Sequence, residues 1–278
     1  WLDHEGAGRH FERARDLADR LPARDRRLIR ARYLYQLVGG QNLVARDSLQ
    51  VLVGDYPKDP AIWYDLGDVL LHTPAAPGWP AADSAFQRAV ELDPRNVGYH
   101  DHAVDLAISV HHDSALAARR IEATPSEEYR RHQGLVHQVV FGSGDVRQDA
   151  LAAIDTLPKK GSSAFPIAGT LGHPTDGAVR ESLYRRLLQR RDLPPGGRRV
   201  QSSRLIWTLL DQGKLGAAIR LAEDPDRPVA GRVEDRIVVL LTVDVPVPDS
   251  LAGAALDASE PPEGADPDAI FTHGLRLI

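Results

Sequence analysis

One pattern recurs three times in register near the start of this chain: a small residue, a large apolar residue four places on, and an apolar residue three further. The sets are Ala7, Phe11 and Ala14; Ala45, Leu49 and Leu52; and Ala82, Phe86 and Ala89. A proline follows five places beyond the second and third, at Pro57 and Pro94. Offsets of four and three put all three side chains on one helical face, and the proline ends the helix because it cannot donate the next backbone bond. An alanine leading such a face lets a neighbouring helix come close. The first set has Asp19 where the proline would fall and Pro22 after it, so its loop is expected to differ.

A second segment stands in front of the third set, Trp63-Tyr-Asp-Leu66-Gly67-Asp-Val-Leu70, with tryptophan, leucine and glycine at fixed offsets. Together these residues resemble the tetratricopeptide (TPR) repeat, with leucine where the first helix of that repeat usually has tyrosine. The leading alanines are 38 and 37 residues apart, slightly more than the period of about 34 usual for the family. The surplus in the second interval fits an inserted loop, Thr73-Pro-Ala-Ala-Pro-Gly-Trp-Pro80.

More narrowly, Ala18-Asp-Arg-Leu-Pro-Ala-Arg-Asp-Arg-Arg-Leu-Ile-Arg-Ala31 and Tyr56-Pro-Lys-Asp-Pro-Ala-Ile-Trp-Tyr-Asp-Leu-Gly67 look like repeat regions attached to bacterial serine/threonine kinases, adenylate cyclases and transcriptional regulators. The resemblance implies an all-α chain, a right-handed superhelix (α-solenoid) of TPR-like antiparallel helical hairpins. It also implies a protein-binding or regulatory module that is not an enzyme and carries no cofactor.

Beyond residue 96 the motif fades while helical alternation continues. Tyr99 to Ser109 and Asp113 to Ala123 read as a pair. Thr124-Pro-Ser-Glu127 reads as a capping box opening a helix to about Phe141. After the turn Gly142-Ser-Gly-Asp145, Asp145 and Gln148 cap a helix with the apolar stripe Leu151, Ile154 and Leu157. Ala178 to Arg191, with Leu183, Leu187 and Leu188 on one side, ends at Pro194-Pro-Gly-Gly197. Val200 to Leu210 then pairs with Leu215 to Glu223 across a turn at Gly213. Gly231 to Val243, Ser250 to Ser259 and Asp266 onward complete the helices, separated by Pro-rich stretches at 245–248 and 260–267. The domain reading is therefore a TPR array over 1–157 with clear motifs over 7–96, an irregular connector at 158–175, and further TPR-like hairpins over 176–278.

In a TPR array the first helices of successive repeats line the inner surface. Register with the matched residues places Arg27, Arg30 and Leu34, then Tyr64, Asp68 and Leu71, then Asp101 and Asp105 on the solvent side of those helices. This is a groove with a basic start and an acidic continuation, suited to an extended peptide or protein partner with charges of both signs and an aromatic contact at Tyr64. Two other readings compete. A small-ligand sensor arm of a bacterial signalling protein would hold its ligand inside the array. A nucleic-acid binder is disfavoured by a net charge of −5 and by the acidic Asp68, Asp101 and Asp105.

The remaining chemistry is thin. With no cysteine there is no disulfide, thiolate metal site or cysteine nucleophile. His100, His102, His111 and His112 cluster in sequence, but none has a carboxylate at the i, i+4 spacing of a helical zinc motif, so no metal is assigned. No G-x-S-x-G elbow or phosphate-binding glycine loop is present. A helical hydrolase would need convergent carboxylates and more aromatic residues than 6%. Arg185, Arg186, Arg190, Arg191, Arg198, Arg199 and Arg204 form the one basic cluster, read as a solvated helix end near a glycine turn. No apolar run reaches the length of a membrane span, and the chain reads as soluble, with the cytoplasm favoured. Methionine is absent, including at position 1, and both ends interrupt helical patterns, so the chain reads as part of a larger protein.

Overall fold

The computed structural model describes residues 4–36, 42–73, 78–155, 177–190 and 195–224, together with Arg236 and Val239. Every regular element among them is helical. The α-helices are α1 (His4–Leu17), α2 (Ala23–Gln36), α3 (Asn42–Asp55), α4 (Pro60–His72), α5 (Trp79–Leu92) and α6 (Val97–Ser109). They continue as α7 (Ser114–Glu122), α8 (Glu127–Phe141), α9 (Gly144–Asp155), α10 (Gly177–Gln189), α11 (Pro195–Asp211) and α12 (Leu215–Ala222), and a single 3₁₀ turn, Ala18–Arg20, follows α1. Consecutive helices pack on each other as hairpins, the architecture the repeat pattern implies. The connector at 158–175, Leu157, the Ala7 side chain and the helices read at 250–259 and from 266 onward lie outside the described residues. Of the segment 231–243, Arg236 and Val239 are described, and both are helical.

Short polar residues start these helices where the sequence places them. Asp59 caps α4, its Oδ1 accepting from the Ala61 and Ile62 amides at 3.0 and 3.4 Å, with Pro60 at the first helical position. Asn96 caps α6 through the Gly98 amide at 3.1 Å, and Asp113 caps α7 through Leu116 at 2.9 Å. The start of α8 differs from the capping box read at Thr124. Ser126 is the cap, its hydroxyl accepting from the Tyr129 amide at 3.2 Å, while the Thr124 hydroxyl donates back to the Arg120 carbonyl at the end of α7. A proline at 125 pushes Thr124 out of helical backbone, which hands the capping role to the next hydroxyl. Helix α11 also begins earlier than read, because Pro195 suits a first helical turn that needs no amide donor.

The chain divides into two compact units, one holding the described residues up to Arg130 and the other those from Arg131. In the first unit the repeated face is the core. Ala45, Leu49, Leu52, Ala82, Phe86 and Ala89 are all buried. Facing them, Ala31, Gly67 and Ala103 are buried at 36-residue intervals on α2, α4 and α6. Small residues there allow close helix contact. A Cβ built on Gly67 would lie 2.7 and 2.8 Å from Phe86 ring carbons, so α4 and α5 meet at a distance only glycine permits.

The face also continues past residue 96, where the motif fades. Ala117, Ile121 and Thr124 on and after α7 repeat the four-and-three offsets and are buried. In the second unit Ala150 and Ile154 on α9 keep the four-residue offset, as do Ala218 and Ala222 on α12. There Leu183 and Leu187 of α10 and Leu205, Ile206 and Leu209 of α11 supply further buried bulk.

Candidate functional site

The candidate surface is the face of the first helices in the first unit, α2, α4 and α6, with the start of α8. Polar pairs tie each of these helices to the next. Arg24 of α2 reaches Asp59, the cap of α4, with Nε to Oδ2 at 2.7 Å. Arg32 of α2 holds Asp65 of α4 with both carboxylate oxygens engaged, at 2.6 and 3.1 Å, and the Tyr35 hydroxyl approaches the Asp68 carbonyl at 3.4 Å. His102 of α6 places Nε2 3.2 Å from Asp68 Oδ1. The Tyr129 hydroxyl of α8 donates to Asp101 of α6 at 2.6 Å.

The middle of this series is a compact cluster. Asp68 is 8% exposed, and its Oδ1 lies 3.3 Å from Nδ1 of His72, one turn along α4, as well as beside His102. The His72 Nδ1–H also points at the Asp68 carbonyl, 2.9 Å away. Aromatic rings enclose the group. Tyr64 stacks on His102 with centroids 5.8 Å apart and touches Tyr99 at 5.3 Å and Phe86 at 5.5 Å, while Phe86 lies 5.0 Å from His102.

Electrostatics follow from this packing. Burial opposes the Asp68 charge, but the close approach of His102 and His72 outweighs it and holds the carboxyl well below the usual carboxylate range. Its hydrogen bond to Asp68 raises the His72 pKa against the cost of burial. Burial works against the His102 cation more strongly, yet Asp68, Asp105 and Asp101 together carry its pKa upward. The Tyr64 hydroxyl is pushed up by burial first and then by the field of Asp68, Asp101, Asp65 and Asp105. Burial likewise raises Asp65, with Arg32 opposing.

Of the residues expected to line a groove, the structure brings Tyr64, Asp68, Asp101 and Asp105 to this cluster. Leu34 and Leu71 lie half-buried against the core on the same helices. The expectation that Asp68 faces solvent is corrected: the histidines of two helices and the Tyr64 ring cover it. Arg27 and Arg30 lie on α2 outside this cluster, each in an exposed ion pair, Arg27 with Asp55 at the end of α3 at 2.6 Å and Arg30 with Asp19 of the 3₁₀ turn at 2.9 Å. Sequence reasoning passed over His72, although Asp68 and His72 stand at i, i+4. It also passed over Arg32, Asp65 and Tyr129, whose partners are about 30 residues away, one repeat on.

The other highlighted groups have structural work. His100 is buried with Nε2–H donating to the Pro94 carbonyl at 3.0 Å. His111 meets Asp83, whose two carboxylate oxygens also accept from the terminal nitrogens of the half-buried Arg120 at 2.8 and 2.9 Å. In the basic cluster, Arg198 donates to the Leu188 and Arg190 carbonyls at the end of α10, and Arg190 donates to the Ile154 carbonyl at the end of α9. Arg185 pairs with Glu181 at 2.9 Å. Among the described residues no group of three or more histidine, cysteine, aspartate or glutamate side chains is arranged to hold a metal ion, and no helix is long and apolar enough to cross a membrane.

No family model matches the chain, and no curated protein does. Among solved structures it is similar to a tetratricopeptide repeat protein from Parabacteroides merdae ATCC 43184, at 14% identity, covering 90% of this chain and 98% of that one, with a TM-score of 0.39. The hairpin architecture rests on the chain's own packing: the repeated buried face and the Gly67–Phe86 contact.

Proposed function

We propose that the chain is a non-catalytic protein-interaction module, a scaffold or regulatory part, that binds a peptide or protein partner across the face of its first helices. The observation that supports this is the series of polar pairs linking α2, α4, α6 and α8. A face whose side chains are already held in place loses little conformational freedom when a partner docks, so more of the contact energy appears as affinity. On this reading Tyr64, Asp68 and Asp101 brace the face from within. Arg27, Arg30, Leu34, Leu71 and Asp105 supply contacts, basic at one end and acidic at the other.

The Asp68 cluster is closed over by its own rings and histidines, with Asp68 8% exposed. That favours an extended partner lying over the face rather than a small sensed molecule within it.

The test is a titration of partner captured from the cells that make the protein. A pair of substitutions, Arg27→Glu with Arg30→Glu, and separately Asp105→Lys, are expected to weaken binding about tenfold or more, as central contacts do. Glu91→Lys on the second helix α5 leaves it unchanged. Arg27 and Arg30 make only exposed ion pairs, so their replacement costs little stability. Unchanged affinity in both groove variants contradicts the assignment.

A further inference from the structure

Among the polar pairs described between first helices, most consist of groups whose charge is fixed through the neutral pH range. Arg24 with Asp59, Arg32 with Asp65 and Tyr129 with Asp101 are arginine, carboxylate and phenol pairs. The link between α4 and α6 is different because both partners of Asp68 are histidines.

We propose that Asp68, His72 and His102 form a proton-operated clasp, which fixes the α4–α5 hairpin to the α6–α7 hairpin when the histidines are charged and loosens that junction when they are neutral. The geometry carries it. The carboxylate is buried, belongs to one hairpin, and meets one histidine from each, with Nδ1 and Nε2 both within 3.3 Å of the same oxygen. Loss of the protons leaves a buried anion without a counter-charge at the point where the two hairpins join.

Among the described residues named around the cluster, none is a free cation that could replace the histidines. From α2 come Tyr35 and Arg32, the latter committed to Asp65. From α4 come Tyr64 and Asp65, from α5 the Phe86 ring, from α6 Tyr99, Asp101 and Asp105, and from α8 Tyr129, which serves Asp101. The acids among them favour the protonated histidines, and Arg32, the cation among them, is held elsewhere. At a further histidine-carboxylate contact, His111 with Asp83, the carboxylate also meets the guanidinium of Arg120, so it does not depend on histidine alone for a counter-charge.

The sign is fixed by the directions of the shifts. The raised histidines contribute stability that is full below their ordinary value of about 6.5 and is lost as pH rises through their folded values. The depressed Asp68 contributes above about 3.9 and is lost only as pH falls through its lower folded value. The clasp is therefore closed in mild acid and opens on the alkaline side of the histidine titration.

The experiment is a histidine proton titration by NMR on the intact chain, with amide hydrogen exchange of α4 and α6 corrected for the intrinsic pH dependence of exchange. His102 and His72 are expected to titrate above an ordinary histidine. Protection is expected to fall about tenfold for each pH unit that separates folded from open-state values. His102→Gln together with His72→Gln abolishes the pH dependence, and so does Asp68→Asn, while His10→Gln on α1 leaves it intact. Protection that stays flat through the titration overturns the proposal, as does a slope that survives the double substitution. Where a variant does not fold, the wild-type titration decides: His102 at or below the ordinary histidine value also overturns it. None of these readouts involves a partner, so they stand or fall apart from the binding assignment.

Discussion

Replacing Gly67 by alanine tests the contact on which the hairpin register depends. In an ordinary helix this change stabilises, by up to about 1 kcal/mol, because alanine loses less backbone freedom than glycine. Here the added carbon would lie 2.7 Å from Phe86 Cε1, 2.8 Å from Cδ1 and 3.0 Å from Cζ. The ring cannot easily yield, since it is fully buried and packed between Tyr64 and His102. Forcing a methyl into a filled core costs about 1–3 kcal/mol, so once the alanine gain of about 1 kcal/mol is set against it the net effect is a loss of up to about 2 kcal/mol. A Cβ added at Gly54, on α3 of the same unit, would meet nothing within 4 Å, and Gly54→Ala is expected to be neutral or stabilising. Urea unfolding followed by tryptophan fluorescence and circular dichroism gives the midpoints, compared at constant slope. Adding Phe86→Leu to Gly67→Ala should recover part of the loss, with a coupling of about 1 kcal/mol between the two sites. A Gly67→Ala variant as stable as Gly54→Ala, with additive behaviour toward Phe86→Leu, would refute the close approach of α4 and α5.

Further substitutions separate buried from exposed polar contacts. Arg120→Met removes the guanidinium that holds Asp83 and the Ala103 carbonyl, and is expected to cost about 3 kcal/mol in the same urea assay, because Asp83 stays behind largely buried. Arg30→Ala, whose ion pair with Asp19 has side-chain exposures of 58% and 79%, should change stability by less than about 0.5 kcal/mol. Arg32→Ala should cost more than Arg30→Ala, because it strips Asp65 of both hydrogen bonds. In the second unit Gly213 turns the chain between α11 and α12 at φ +70°, so Gly213→Ala is expected to lower its unfolding midpoint, at a cost of about 1 kcal/mol.

The part of the fold that could be read in the sequence is the part that repeats locally. Ala45, Leu49 and Leu52, and Ala82, Phe86 and Ala89, sit on single helices, so their offsets alone identify the buried face, and all six are buried. The same face at Ala117, Ile121 and Thr124 was legible in principle but passed unread, because a threonine stands where the pattern has an apolar residue and the following proline is missing. Ala31 and Ala103 were hidden for a related reason: alanine replaces the glycine that makes Gly67 conspicuous, though either is small enough for close packing.

The site was less legible. Asp68 was placed on the correct helix and the wrong side of the surface, since helical register gives direction but not whether a neighbour covers it. What covers it is His102, one repeat away, and its identity follows from packing between hairpins rather than from any spacing within one. Arg32 with Asp65 and Tyr129 with Asp101 are the same case. The Asp68–His72 pair was the exception, visible as an i, i+4 pair on α4.

The claim that partners dock on the first helices is tested most directly by site-specific photo-crosslinking in the cells that make the protein. A benzophenone side chain would replace Arg27, Arg30, Leu71 or Asp105 on that face, and Val51 or Ala118 on the second helices α3 and α7. The account predicts a partner adduct from the first group and none from Val51 or Ala118. Adducts confined to Val51 and Ala118, or equal from both groups, would contradict it.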